Sequence, residues 1–155
     1  MIPDDATLTE DGLGASGNGK ILLLACGALA REIIAVKDAN GWDHMTLACL
    51  PAIYHNTPDK IVPAVREAVV KHRAEFEQIF VVYADCGTGG HLDTVCKKHD
   101  VERIAGPHCF SFYMGNEAFA ESSDDLITTF FMTDFLARHF ETFLVKPLGL
   151  DRHPE

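Results

Sequence analysis

Short apolar runs alternate with helix-patterned segments through most of this chain, and that rhythm constrains the fold more than any other feature. Lys20-Ile-Leu-Leu-Leu-Ala-Cys26 is continuously apolar after its first residue, as a strand buried on both faces must be. Gly27 breaks it, and residues 28–37 predict a helix with Leu29, Ile33 and Val36 on one face. Ala39-Asn-Gly41 supplies a glycine stop. Residues 45–50 predict a second strand that halts at Pro51. The helix after it runs from Asp59 to about Phe76, with Ile61, Val65, Ala68 and Val69 as its stripe. Ile79-Phe-Val-Val-Tyr-Ala84 is a third strand, rich in β-branched and aromatic side chains. A tight turn, Asp85-Cys-Gly-Thr-Gly-Gly90, leads into a short helix over 92–99 and a brief fourth strand over 101–105. Beyond it the pattern is helical over 110–119, and again from 128 to about 144, where Phe131, Phe135, Leu136, Phe140 and Phe143 form an aromatic stripe. Strands recurring about 30 residues apart are the mark of βαβ units. The expected fold class is therefore α/β, a Rossmann-like three-layer domain around a mostly parallel sheet of about four strands. Residues 1–19, polar and glycine-rich, predict a flexible tail, which leaves 20–155 as a single domain.

The length of 155 residues and the 47% apolar content suit one core. Aspartate and glutamate outnumber lysine and arginine by 23 to 13, a net charge of -10. Such a surface repels nucleic-acid phosphate and anionic membranes, so neither is an expected partner. No apolar run approaches the roughly 20 residues that span a bilayer. The acidic start lacks the positive region of a secretory signal. With five cysteines, an odd number, the expectation is reduced thiols in the cytoplasm and no disulfide framework.

Ligands of an open parallel sheet bind outside the carboxyl ends of its strands, where helix N-termini also point. Those ends carry the chemistry here: Cys26-Gly27 after the first strand, His55-Asn56 after the second, Asp85 to Gly90 after the third, His108-Cys109 after the fourth. A thiolate near a helix N-terminus is both nucleophile and metal ligand. Cys26, Cys86 and Cys109 with His55 or His108 in reach form a soft donor set suited to zinc, with an iron-sulfur cluster as alternative. The plainer reading is that free cysteines fill the core as small hydrophobes. Cys49, inside a strand, and Cys96, inside a helix, suit that role. No Cys-x-x-Cys occurs, so topology alone carries the grouping. Adjacent residues rarely bind one metal, so Cys109 is the expected ligand and His108 its neighbour.

Gly87, Thr88, Gly89 and Gly90 open a helix directly after a strand, where free amides can cradle a phosphate, a carboxylate or a cofactor edge. A tight strand-to-helix turn explains them equally well. Asp85 is a candidate general base or a cap for that turn. His55 and His108 are candidate acid/base groups. Gly14-Ala-Ser-Gly-Asn-Gly-Lys20 has phosphate-loop residues but precedes a strand instead of following one. Asp134 on an apolar helix needs a partner, and Arg138 at i+4 is the expected one. His153, near the end, is a minor candidate to fold over the site.

Several of these segments together resemble an uncharacterised prokaryotic family, domain of unknown function 1638. The resemblance is carried by Ala25-Cys-Gly-Ala-Leu-Ala-Arg-Glu-Ile33, Leu50-Pro-Ala-Ile-Tyr-His-Asn-Thr-Pro58 and Tyr83-Ala-Asp-Cys-Gly-Thr-Gly-Gly-His-Leu-Asp93. Gly106-Pro-His-Cys109, Phe130-Phe-Met-Thr-Asp-Phe-Leu136 and Leu148-Gly-Leu-Asp-Arg-His-Pro-Glu155 complete it. It spans about residues 20 to 155. Phe110-Ser-Phe-Tyr departs from the acidic pattern expected there, and family members usually continue into another βα region. The resemblance implies an accessory role beside corrinoid-dependent methyltransferases, in cobalamin-linked one-carbon metabolism.

Three functions are thus expected. The first is a metal-thiolate protein, an enzyme or an accessory factor of methyl transfer, with zinc as Lewis acid. The second is a non-catalytic module that holds a small molecule or corrinoid edge through Gly87 to Gly90, with a corrinoid protein as partner. The third is an iron-sulfur redox protein.

Overall fold

The computed structural model describes residues 3–122 and 128–152. It is a mixed α/β fold around a five-stranded sheet. The elements are α1 (Asp5–Glu10), β1 (Leu13–Ser16), β2 (Ile21–Cys26), α2 (Ala30–Asn40), β3 (Met45–Leu50), α3 (Ile61–His72), β4 (Gln78–Val82), α4 (His91–Lys98) and β5 (Glu102–Arg103). Three short helices follow, α5 (Ser111–Met114), α6 (Asn116–Glu121) and α7 (Asp134–Arg138), then a π-helical turn, Glu141–Val145, and α8 (Lys146–Leu148).

Strand order is β1-β3-β2-β4-β5. The expected parallel strands pair as such: Ile21 to Cys26 run in register with Met45 to Leu50 on one side, and Ile21 to Ala25 with Gln78 to Val82 on the other. β2 is therefore central, and its residues from Leu22 to Cys26 are all buried, which is why it reads as an unbroken apolar run. The fifth strand comes from the segment expected to be a tail. β1 pairs antiparallel with β3 at the edge of the sheet, Leu13 opposite Cys49 and Ser16 opposite Leu47. Ahead of it α1 is capped by Asp4, whose carboxylate accepts from the Thr7 amide at 2.8 Å. Leu8 on α1 is fully buried against Ala25, Ala30 and Cys49.

The sheet faces separate two cores. On one, Leu22, Leu24, Ile79 and Val81 meet Ile61, Val65 and Val69 of α3 and Leu92 and Cys96 of α4. The four-residue spacing on α3 is the expected stripe, and each fully buried valine there contributes about 1.5–3 kcal/mol. On the other face α1 and α2 cover β2 and β3. Over β4 that face instead carries an apolar groove of about 680 Å³ lined by Leu23, Ile33, Val36, Phe80, Val82 and Tyr113.

The helical expectations after β5 need correction. The predicted helix over 110–119 is broken by Gly115 at φ +85, which separates α5 from α6. The long helix predicted from residue 128 is shorter: α7 starts at Asp134, capped by the Thr133 hydroxyl, which accepts from the Leu136 amide at 3.3 Å. Arg138 pairs with Asp5 of α1 at 2.7 Å, not with Asp134, and Arg31 holds the same carboxylate at 2.8 Å. Helix periodicity identified the partner as i+4 because it sees only its own helix. No described helix is long and apolar enough to cross a membrane.

Candidate metal centre at the strand ends

The chain steps outward from β2 to β3 in one direction and then to β4 and β5 in the other, which places a crevice at the carboxyl ends of β2 and β4. Three loops meet there. After β3, Pro51 ends the strand and the 3-10 turn Ala52–Asn56 presents His55. Ala52 is fully buried with Phe135, Leu136 and Phe143, and the Asn56 side-chain amide donates to the Thr142 carbonyl at 3.3 Å. The turn carrying His55 is thus clamped onto the π-helical turn. After β4, the backbone reaches back to the loop beyond β5: the Asp85 amide donates to Gly106 O at 2.9 Å and the Cys86 amide to Pro107 O at 3.1 Å. These bonds extend the parallel pairing past the strands and hold Cys86 beside the His108–Cys109 corner. That corner is closed by the Ser111 amide on His108 O and the Phe112 amide on Cys109 O.

Among the described residues, the donor atoms of His55, His108 and Cys109 lie within 4.8 Å of one another, and all three side chains are half-buried. The His55 and His108 rings meet edge to face with centroids 5.5 Å apart. His108 Nδ1 is 3.5 Å from Cys109 Sγ and accepts from the Phe110 amide at 3.3 Å. Adjacent residues therefore do share this site, because the turn after His108 folds the imidazole back over the neighbouring thiol. Aromatic rings wall the corner, with His108 against Phe110 at 4.5 Å and Phe110 stacked on Phe131 at 4.7 Å. A cavity of about 20 Å³ lies against His55 and Cys109 between Phe110, Phe135 and Phe143. It has room for a single water-sized group.

Burial holds the His55 imidazole below the usual histidine range. Burial, with His55 alongside, lowers His108 to about 4. Both rings are thus neutral near pH 7, the form that ligates metals. Interaction with the neighbouring Cys109 side chain holds the Cys86 thiol below its ordinary range. The same pairing with Cys86, together with partial burial, pushes the Cys109 thiol up.

Cys26 and Cys86 lie outside the set of converging donors. Cys26 ends β2 inside the core at 8% exposure, and burial raises its thiol to about 11. Cys86 sits next to Cys109 with φ +46, a left-handed conformation unusual for a residue with a Cβ. Cys49 is buried against Leu8 of α1, its thiol raised by burial to about 12, and Cys96 of α4 is buried in the other core.

Asp85 turns inward on its own loop. Its carboxylate accepts from the Thr88 hydroxyl and Gly90 amide at 2.8 Å and the Gly89 amide at 3.1 Å. Those bonds, that of the Gly90 amide foremost, hold its pKa below the usual carboxylate range. Of the two roles expected of Asp85, the geometry is that of a cap. The Gly89 and Gly90 amides, expected to be open to an anion, are occupied by a carboxylate of the chain itself. His153 lies outside the described residues.

Sequence reasoning passed over Tyr83 as a strand residue. It is 3% exposed, and its hydroxyl has no hydrogen-bond partner among the described residues. Burial and the nearby Cys26, Cys49 and Cys86 thiols push its pKa well up. A tyrosine closing an apolar strand, two residues before Asp85, was the available signal.

Residues 49–155 match a family model described as a protein of unknown function, DUF1638. No curated protein and no solved structure matches the chain.

Proposed function

This chain belongs to the DUF1638 family, and we propose that it is a metal-thiolate protein whose ion, of the zinc class, is held by His55, His108 and Cys109. The observation that carries the reading is the convergence of those three donors within 4.8 Å beside a cavity the size of one atom. Two neutral imidazoles and one thiolate are ligands that zinc accepts in tetrahedral sites, with the fourth position left for water or a substrate atom. A set with one cysteine suits zinc better than an iron-sulfur cluster, which is held by thiolates. The ion would displace the Cys109 proton and supply Lewis-acid activation at the open position. The residues themselves supply two imidazoles kept unprotonated by burial, an aromatic wall around the donors, and a His55 turn clamped by Asn56. The family resemblance supplies a setting, corrinoid-linked methyl transfer, and as a Lewis acid the ion would activate a thiol or amine of a substrate.

Chelator-stripped protein titrated with zinc is expected to take up one ion per chain. Cobalt(II) in its place should give a tetrahedral visible spectrum with a thiolate charge-transfer band that Cys109→Ser abolishes. His55→Ala and Cys109→Ser should weaken binding beyond the roughly 10- to 100-fold cost of altering a residue that only supports a ligand. Uptake unchanged in both variants would overturn the reading.

A further inference from the structure

We propose that Cys86 and Cys109 form a reversible disulfide that expels the metal, which makes this corner a peroxide-responsive thiol site; the metal half of the inference rests on the reading above. Of the five cysteines, Cys26, Cys49 and Cys96 are buried, and Cys86 and Cys109 are half-buried. The two that an oxidant can reach are neighbours. The two side chains interact with each other and pack against the same core cluster. The backbone holds them there, since the Cys86 amide donates to Pro107 O at 3.1 Å, two residues before Cys109. Cys86 is also held at φ +46, a conformation that costs free energy and persists only where its surroundings impose it. The acidic neighbour, Asp85, is tied to its own loop by the Thr88 hydroxyl and the Gly90 amide.

The chemistry balances with hydrogen peroxide as oxidant. Cys86 sulfur, as thiolate, attacks one peroxide oxygen; the O–O bond breaks and hydroxide leaves, giving a sulfenic acid. Cys109 sulfur then attacks Cys86 sulfur; the S–S bond forms, the S–O bond breaks and a second hydroxide leaves. In sum two thiols lose two protons and two electrons, and one peroxide becomes two waters. The disulfide removes the thiolate from the donor set and leaves two imidazoles, too few to retain the ion. A thiol reductant returns both sulfurs.

Zinc-loaded protein is treated with a small excess of peroxide while a chromophoric chelator reports released metal and peptide mapping reports the bonds. The expected result is a Cys86–Cys109 peptide two hydrogens lighter than its reduced parts, zinc released in step with it, and recovery of both on adding dithiothreitol. Cys86→Ser, loaded with zinc beforehand, should keep its metal under the same dose, and its Cys109 should stay reduced over the time in which the wild type responds. The proposal is overturned if Cys109 goes to sulfinic acid without the link, if Cys86→Ser releases zinc as fast as the wild type, or if the link forms with zinc retained. If unoxidised wild type takes up no zinc, the metal reading has failed. The peptide map of the metal-free protein then decides the thiol pair alone: the link supports it and its absence overturns it.

Discussion

Asp85 gathers three donors of its own loop with one carboxylate, and so carries the turn that sets Cys86 in place. Replacing it with alanine leaves two amides and a buried hydroxyl without that acceptor, and the expected loss is about 1–2 kcal/mol. Urea denaturation of Asp85→Ala measures it; an unchanged midpoint would contradict the capping role. His108 sets the pH behaviour. Its imidazole sits at about 4 in the folded protein, against roughly 6.5 when exposed. Between those values the unfolded chain binds a proton that the folded chain does not, so stability rises with pH across that window. Metal-free protein should therefore lose up to about 3 kcal/mol as the pH falls from roughly 6.5 towards 4, and His108→Asn should flatten that profile. Parallel profiles for the two proteins, followed by denaturation at each pH, would count against it. At this scale the sequence named side chains that the structure groups differently. His55 and His108 were read as acid/base groups beside a Cys26–Cys86–Cys109 set, yet they converge with Cys109 alone. Which thiol meets which ring depends on how the turn after His108 folds back, and no local pattern records that.

Among elements, α1 separates what local patterning reveals from what it hides. Asp4 is a legible cap, but six helical residues are too few to stand alone and would read as tail. The helix exists because Leu8 is buried and because Asp5 binds Arg31 and Arg138. Gly27 permits the docking: a Cβ there would run into the Leu8 carbonyl oxygen and approach Leu50 O. Gly27→Ala should cost about 1–3 kcal/mol, as overpacking does. It should also open residues 3–17 to limited proteolysis, with the later elements cut no faster than in the wild type. Resistance equal to the wild type would show that α1 tolerates the shift. The strands β2, β3 and β4 and the stripe of α3 were legible because each is specified by its own period of burial. The elements after β5 were not, because an aromatic-rich helical pattern does not show where Gly115 or Thr133 will divide it.

For the whole molecule, the donors of the candidate centre belong to loops after β3 and β5, so an ion there would tie distant parts of the chain together. A ligand bound only by the folded state stabilises it by mass action, about 2.7 kcal/mol at a free concentration 100 times the dissociation constant. Zinc should raise the melting temperature of the wild type, and the rise should vanish in a His55→Ala/Cys109→Ser double variant. An equal rise in both would place the ion elsewhere. The sheet shows the same division between what is local and what is not. By itself the sequence determined the parallel strands, their order of appearance and the edge on which the candidate residues gather, because burial on both faces and strand-to-helix turns are written in neighbouring residues. The tertiary structure decided that a polar leader adds β1, that Arg138 answers Asp5, and that two histidines join Cys109. Each of those rests on contacts between residues far apart in the chain, and sequence spacing carries no record of such contacts.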